Sequence, residues 1–303
     1  THDAIIWGAN ADERADRIAN NNPLVNKPIT SELGNVTPWI VVPGNYSNRQ
    51  LQSQAEHIAA SIVNNASFNC VATKMIVTCS DWPQRSDFLD RIETLLKNIP
   101  PRHAYYPGAR ERFERANAGR EISNSSSELP WTLIQNTTPE SAAHLFQEES
   151  FVCVCAETTL EGSTPGEFLD SAVEFVNDQL FGTLCATITA PKSFENREAL
   201  ALEKAIAKLR YGSVCVNQWA GVVYGLMTPP WGGHPSSSLE SPQSGMGHVH
   251  NTFCLKNFDK TQYMQQPSSF LPAPSISFLN KNTHRCMALG IKTNHLILSK
   301  YIR

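Results

Sequence analysis

Pro38-Trp39-Ile40-Val41-Val42-Pro43-Gly44, residues 51–63 and Met75-Ile76-Val77-Thr78 lie in succession near the start of the chain. The first is a short apolar run closed at both ends by proline, which reads as a buried strand. In the second, Leu51, Ala55, Ile58, Ala59 and Ile62 share one face of a 3.6-residue period and predict a helix. The third is again a short, β-branched run and predicts a second strand. The same alternation continues downstream. Residues 88–96 predict a helix with Phe88, Ile92, Leu95 and Leu96 inward, stopped by Pro100-Pro101. Residues 131–134, 151–155, 184–189 and 213–217 predict strands, and 166–177 and 195–209 predict helices. Such a succession implies an α/β fold with an open, largely parallel sheet and flanking helices. After about Pro229 the chain turns Gly-, Pro- and Ser-rich and reads as an extended C-terminal arm.

At 303 residues the chain is long enough for a large core. A net charge of −3 leaves no basic footprint for nucleic acid. No run approaches the length of a transmembrane segment, and no signal peptide is legible at the N-terminus. Cysteines stand at 70, 79, 153, 155, 185, 215, 254 and 286, several of them inside apolar runs where a free thiol acts as a small hydrophobe. Together these features predict a reduced, cytoplasmic protein. His248-Val249-His250 has no Cys or carboxylate at zinc spacing, so no metal is expected.

Two segments carry the candidate chemistry. Asn64-Asn65-Ala66-Ser67-Phe68-Asn69-Cys70 is a small, polar stretch after a predicted helix and before a predicted strand, where a loop can present a thiol. Ser31-Glu32-Leu33-Gly34-Asn35 places a carboxylate at the mouth of another strand. A thiol can attack a carbonyl carbon, and a carboxylate can activate the water that releases the adduct. On position alone, a buried structural cysteine and a solvated surface acid are the simpler readings.

Five segments taken in order resemble the NAD(P)-dependent aldehyde dehydrogenase superfamily. Glu32-Leu33-Gly34-Asn35 resembles its Glu-Leu-Gly-Gly segment, and Asn69-Cys70-Val71-Ala72 its nucleophile loop. Glu148-Glu149-Ser150-Phe151 resembles Glu-Glu-Ile-Phe-Gly-Pro, and Gly212 to Asn217 the Gly-x-Val-x-Val-Asn strand. Pro230-Trp231-Gly232-Gly233 with Ser244-Gly245-Met246-Gly247 resembles Pro-Phe-Gly-Gly…Ser-Gly-x-Gly. The departures are Asn35 for the second Gly, Val152-Cys153 for Gly-Pro, and a Ser-rich insert over residues 235–242.

The resemblance implies oxidation of an aldehyde to a carboxylic acid, with Cys70 as nucleophile and Glu32 as general base. It implies NAD or NADP as cofactor, met by Glu149, Phe151 and Leu33, and a homo-oligomer. It also divides the chain into a remnant of a dinucleotide-binding domain (1–35), a catalytic domain (36–240) and an arm for oligomerisation (241–303). No Gly-x-Gly-x-x-Gly follows a strand in the sequence. Most of the coenzyme-binding part of the family is therefore expected to be missing. Two other readings stay open: a non-catalytic chain that assembles with a full-length paralogue, and a cysteine hydrolase using His57, His103 or His144.

Overall fold

The structure, a computed structural model, describes residues 2–117, 127–251, 254 and 258–264. Its centre is a sheet of seven strands: β1 (Thr37–Val41), β2 (Thr73–Cys79), β3 (Thr132–Ile134), β4 (Val154–Leu160), β5 (Cys185–Thr189), β6 (Ser213–Val216) and β7 (Thr261–Met264). Their spatial order is β7-β6-β5-β1-β2-β4-β3, and every neighbouring pair is parallel. All residues of β1, β2, β5 and β6 are buried. Helices on both faces of a parallel sheet leave no wet side, which is why these strands read as unbroken apolar runs.

The helices begin where the local chemistry dictates. In α1 (Asn48–Val63) the Ser47 hydroxyl accepts from the Gln50 N–H at 3.3 Å, and the Gln50 side chain accepts from the Ser47 N–H at 2.8 Å. That reciprocal cap satisfies two of the donors a helix start leaves open. In α2 (Arg85–Asn98), Phe88, Leu89, Ile92 and Leu96 face inward against α1. Thr164 caps α3 (Pro165–Gln179), with proline at its first turn. The amphipathic helix Ala11–Ala19 buries no residue.

Three boundaries differ from the sequence reading, each for a physical reason. The helix predicted over 195–209 is two helices, Lys192–Arg197 and Ala199–Lys208, broken at Glu198 (φ −125°, ψ 34°). The break lets both Phe194 and Leu202 reach the core, each only 3% exposed. The strand predicted from residue 151 begins at Val154, because the carbonyls of Ser150, Phe151 and Val152 accept from Arg112 and Lys74 instead of a ladder partner. Within the stretch read as a C-terminal arm, β7 completes one edge of the sheet. Residues 265–303 of that arm, and most of the polar loop near Asn124, lie outside the described residues.

The seven described cysteines are free thiols, and no helix among the described residues is long and apolar enough to cross a membrane.

His57 sits on the buried face of α1, and burial pushes it down from an ordinary value of 6.5 to about 4. Below about pH 6.5 the unfolded chain takes up a proton that the folded chain refuses until about pH 4, so stability falls across that window. The expected loss from His57 at about pH 4.5 is roughly 2 to 3 kcal/mol relative to pH 7. Urea unfolding at the two pH values should show this component removed in His57→Leu.

Candidate functional site

Between α1 and β2 the chain makes a single 3₁₀ turn, Asn64–Ser67. Asn65, Ala66 and Ser67 all have positive φ (49°, 54° and 68°), a conformation that L side chains resist by about 1 kcal/mol or more each. Side chains fasten this loop from several directions. Lys74 Nζ, buried, donates to the Ser67 carbonyl at 3.0 Å, to Ser67 Oγ at 2.7 Å and to the Val152 carbonyl at 2.9 Å. Thr37 Oγ1 donates to the Cys70 carbonyl at 2.6 Å, and Trp219 Nε1 to the Val71 carbonyl at 2.8 Å. Cys70 ends up half-buried just before β2.

Glu32 lies just before β1, in a two-residue ribbon where Ser31–Glu32 runs antiparallel to Gly245–Met246. The Leu33 N–H donates to the Ser244 carbonyl at 2.8 Å. Gly245 has φ 121°, and a methyl there would collide with the Ser31 carbonyl, so this contact requires glycine. The Glu32 side chain is exposed, and its Oε1 accepts from Trp231 Nε1 at 2.6 Å.

Parallel strands put their amino ends on one side, so the segments entering β1 and β2 bring Glu32 and Cys70 to the same end of the sheet. Burial raises the Cys70 thiol to about 12, helped by the charges of Glu149 and then Glu32, while backbone hydrogen bonding of Cys70 offsets part of the rise. The resting thiol is neutral at physiological pH. No histidine is among the groups that shift it.

Glu149 packs against Gly34, where a methyl would collide with its carboxylate. Burial raises its pKa; Lys74, the Asn35 amide and Arg112 pull it back. Its Oε1 is buried with no hydrogen-bond partner. Lys74 itself is pushed down to about 8 by burial. Phe151, at φ 43°, lies 5.8 Å from Phe68 and 4.9 Å from Tyr106 between ring centroids. Tyr105 and Tyr106 extend this aromatic ledge to solvent.

Sequence reading missed four residues of this arrangement. Asn35 is buried: its Nδ2 donates to Thr37 Oγ1 at 2.7 Å and the Cys185 carbonyl at 3.2 Å, and its Oδ1 accepts from Ser244 Oγ at 3.1 Å. Lys74 had one legible signal, a charge inside an otherwise buried strand. Arg112 had none, since its partners are backbone carbonyls. Trp231 was legible only as a motif position. His248 and His250 join no metal cluster: among the described residues no group of three or more His, Cys, Asp or Glu side chains could hold an ion. A cavity of about 520 Å³ lies at the opposite, carboxyl end of the strands, lined by Gly44, Trp82 and Thr164 among others, and includes neither Cys70 nor Glu32.

No family model matches the sequence, and no curated protein matches it. Solved structures do. An oxidoreductase from Marinobacter aquaeolei superposes with a TM-score of 0.57 at 17% identity, over 80% of this chain and 48% of that one. The NADP-dependent glyceraldehyde-3-phosphate dehydrogenase from Bacillus halodurans, complexed with NADP, gives 0.57 at 16%, over 78% and 47%. The NAD-dependent aldehyde dehydrogenase from Sinorhizobium meliloti gives 0.57 at 18%, over 79% and 46%. The fold is that of the aldehyde dehydrogenases. At these identities the likeness is one of fold, and the chain spans about half the length of the structures it matches.

A thiol held at about 12 should alkylate slowly at neutral pH. With iodoacetamide, and Cys70 followed by peptide mass, the rate should still be climbing at about pH 10. Glu149→Gln removes a neighbouring negative charge and should speed the reaction at any fixed pH below that. A rate that levels off near neutral pH would contradict the buried, carboxylate-flanked setting.

Proposed function

We propose that this chain carries the catalytic part of an NAD(P)-dependent aldehyde dehydrogenase, with Cys70 as nucleophile and Glu32 as general base. The observation that supports it most is the convergence of Glu32 and Cys70 at one end of the sheet, close enough for the carboxylate to raise the thiol. In this reading Cys70 Sγ bonds to the aldehyde carbon as its proton leaves to solvent. NAD or NADP, when bound, would supply the hydride acceptor. The acyl group left on Sγ is then released by water, from which Glu32 takes a proton. Glu32 suits that step because its side chain is open to solvent.

In this reading Glu149, Phe151 and Leu33 meet the nicotinamide and its ribose. Glu149 Oε1 is an acceptor without a partner, Phe151 offers a ring face, and Leu33 is half-buried next to Glu32. We further read residues 1–35 as the remnant of a dinucleotide-binding domain, 36–240 as the catalytic domain and 241–303 as an arm that pairs subunits in a homo-oligomer. A second reading, a non-catalytic chain that assembles with a full-length paralogue, draws on the neutral state of the Cys70 thiol.

The test is formation of reduced nicotinamide from a panel of aliphatic and aromatic aldehydes with each cofactor. Turnover should disappear in Cys70→Ala, and in Glu32→Gln an acyl adduct on Cys70 should accumulate, seen by intact mass. Turnover that survives Cys70→Ala would refute the nucleophile assignment. No adduct and no turnover with either cofactor would favour the second reading.

A further inference from the structure

We propose that Trp231 is a positioning residue for Glu32, and that its indole N–H sets the rate at which an acyl group leaves Cys70. The inference rests on the function proposed above and adds a residue to it.

The indole is immobile by packing. Trp231 is 1% exposed and belongs to a small cluster with Leu184, Cys185, Ala220 and Val223, against which Cys70 and Val71 also pack. Its backbone pairs with Val249, and its ring meets Tyr224 edge-on at 5.5 Å. One polar atom remains, Nε1, and it donates at 2.6 Å to the carboxylate of a residue 199 positions away. The acceptor is the opposite kind of side chain: exposed, long and free to change rotamer. A short hydrogen bond to a carboxylate is among the stronger ones, and here it joins a fixed donor to an otherwise mobile base. The same ring shares a cluster with Cys70, so Glu32 is held in register with the sulfur it serves. A phenylalanine, which the resembled motif carries here, has no donor. The orientation of Glu32 in this chain therefore depends on a group particular to Trp231.

The experiment uses 4-nitrophenyl acetate, which reports acylation and deacylation without a cofactor. Attack by Cys70 releases nitrophenolate as a burst, and hydrolysis of the acyl-cysteine sets the steady rate that follows. Trp231→Phe keeps the ring and removes the donor. Its burst rate should match the parent chain, while its steady rate falls about tenfold, the usual worth of a hydrogen bond to a charged group. Adding Trp231→Phe to Glu32→Gln should cause no further loss, since residues acting through one another are not additive. Glu32→Asp is the second variant, because an exposed site tolerates it. It withdraws the carboxylate from the indole and should show the same selective loss, again with no addition from Trp231→Phe. Equal slowing of both phases, or losses that multiply, would mean a purely structural Trp231 and overturn the proposal. A parent chain with no burst, or a burst that survives Cys70→Ala, would overturn the function reading and this one with it.

Discussion

The Thr37 hydroxyl joins the parts of the candidate site. It accepts from Asn35 Nδ2 and donates to the Cys70 carbonyl, and both Thr37 and Asn35 are almost wholly buried. Asn35 in turn holds the Cys185 carbonyl, the Leu184 N–H and the Ser244 hydroxyl. The segment bearing Glu32, the cysteine loop, the start of β5 and the glycine-rich stretch near residue 245 thus share one network. In a water-excluded setting each of these bonds is strong, and each group left unpaired would be costly. That is a physical reason for an asparagine where the resembled motif has glycine.

Rigidity at this end of the sheet opposes reactivity. The burial that fixes the loop also raises the Cys70 thiol, and Glu149 and Glu32 raise it further. Lys74 does not relieve this: by favouring the charged form of Glu149 it sustains that repulsion, and its hold on Ser67 adds to the rigidity. The backbone of residues 65–67 is itself in a disfavoured conformation. Strain of this kind persists only where surrounding contacts over-determine it, and here Lys74, Thr37 and Trp219 are those contacts.

Most of the sheet was legible because strands buried on both faces must be apolar throughout. Residues 39–42, 75–78, 184–189 and 213–217 each fall on an observed strand to within a few residues. β7, with the sequence Thr261-Gln262-Tyr263-Met264, was not legible: as an edge strand it needs no continuous apolar run. The break at Glu198 was hidden because 3.6-residue periodicity runs on either side of it. The start at Val154 was hidden because apolarity does not reveal that three carbonyls are already taken by Arg112 and Lys74.

What the sequence determined by itself was the alternation of strands and helices, and the order of the segments that carry Glu32, Cys70, Glu149 and Trp231. Those follow from local periodicity and from residue types that a linear reading can see. Only the tertiary structure decided which side chains meet. Trp231 reaches Glu32 across 199 residues, Ser244 reaches Asn35 across 209, and Lys74 reaches Val152 across 78. Such bonds form because parallel strands gather their amino ends on one side, and no spacing within the chain encodes that geometry.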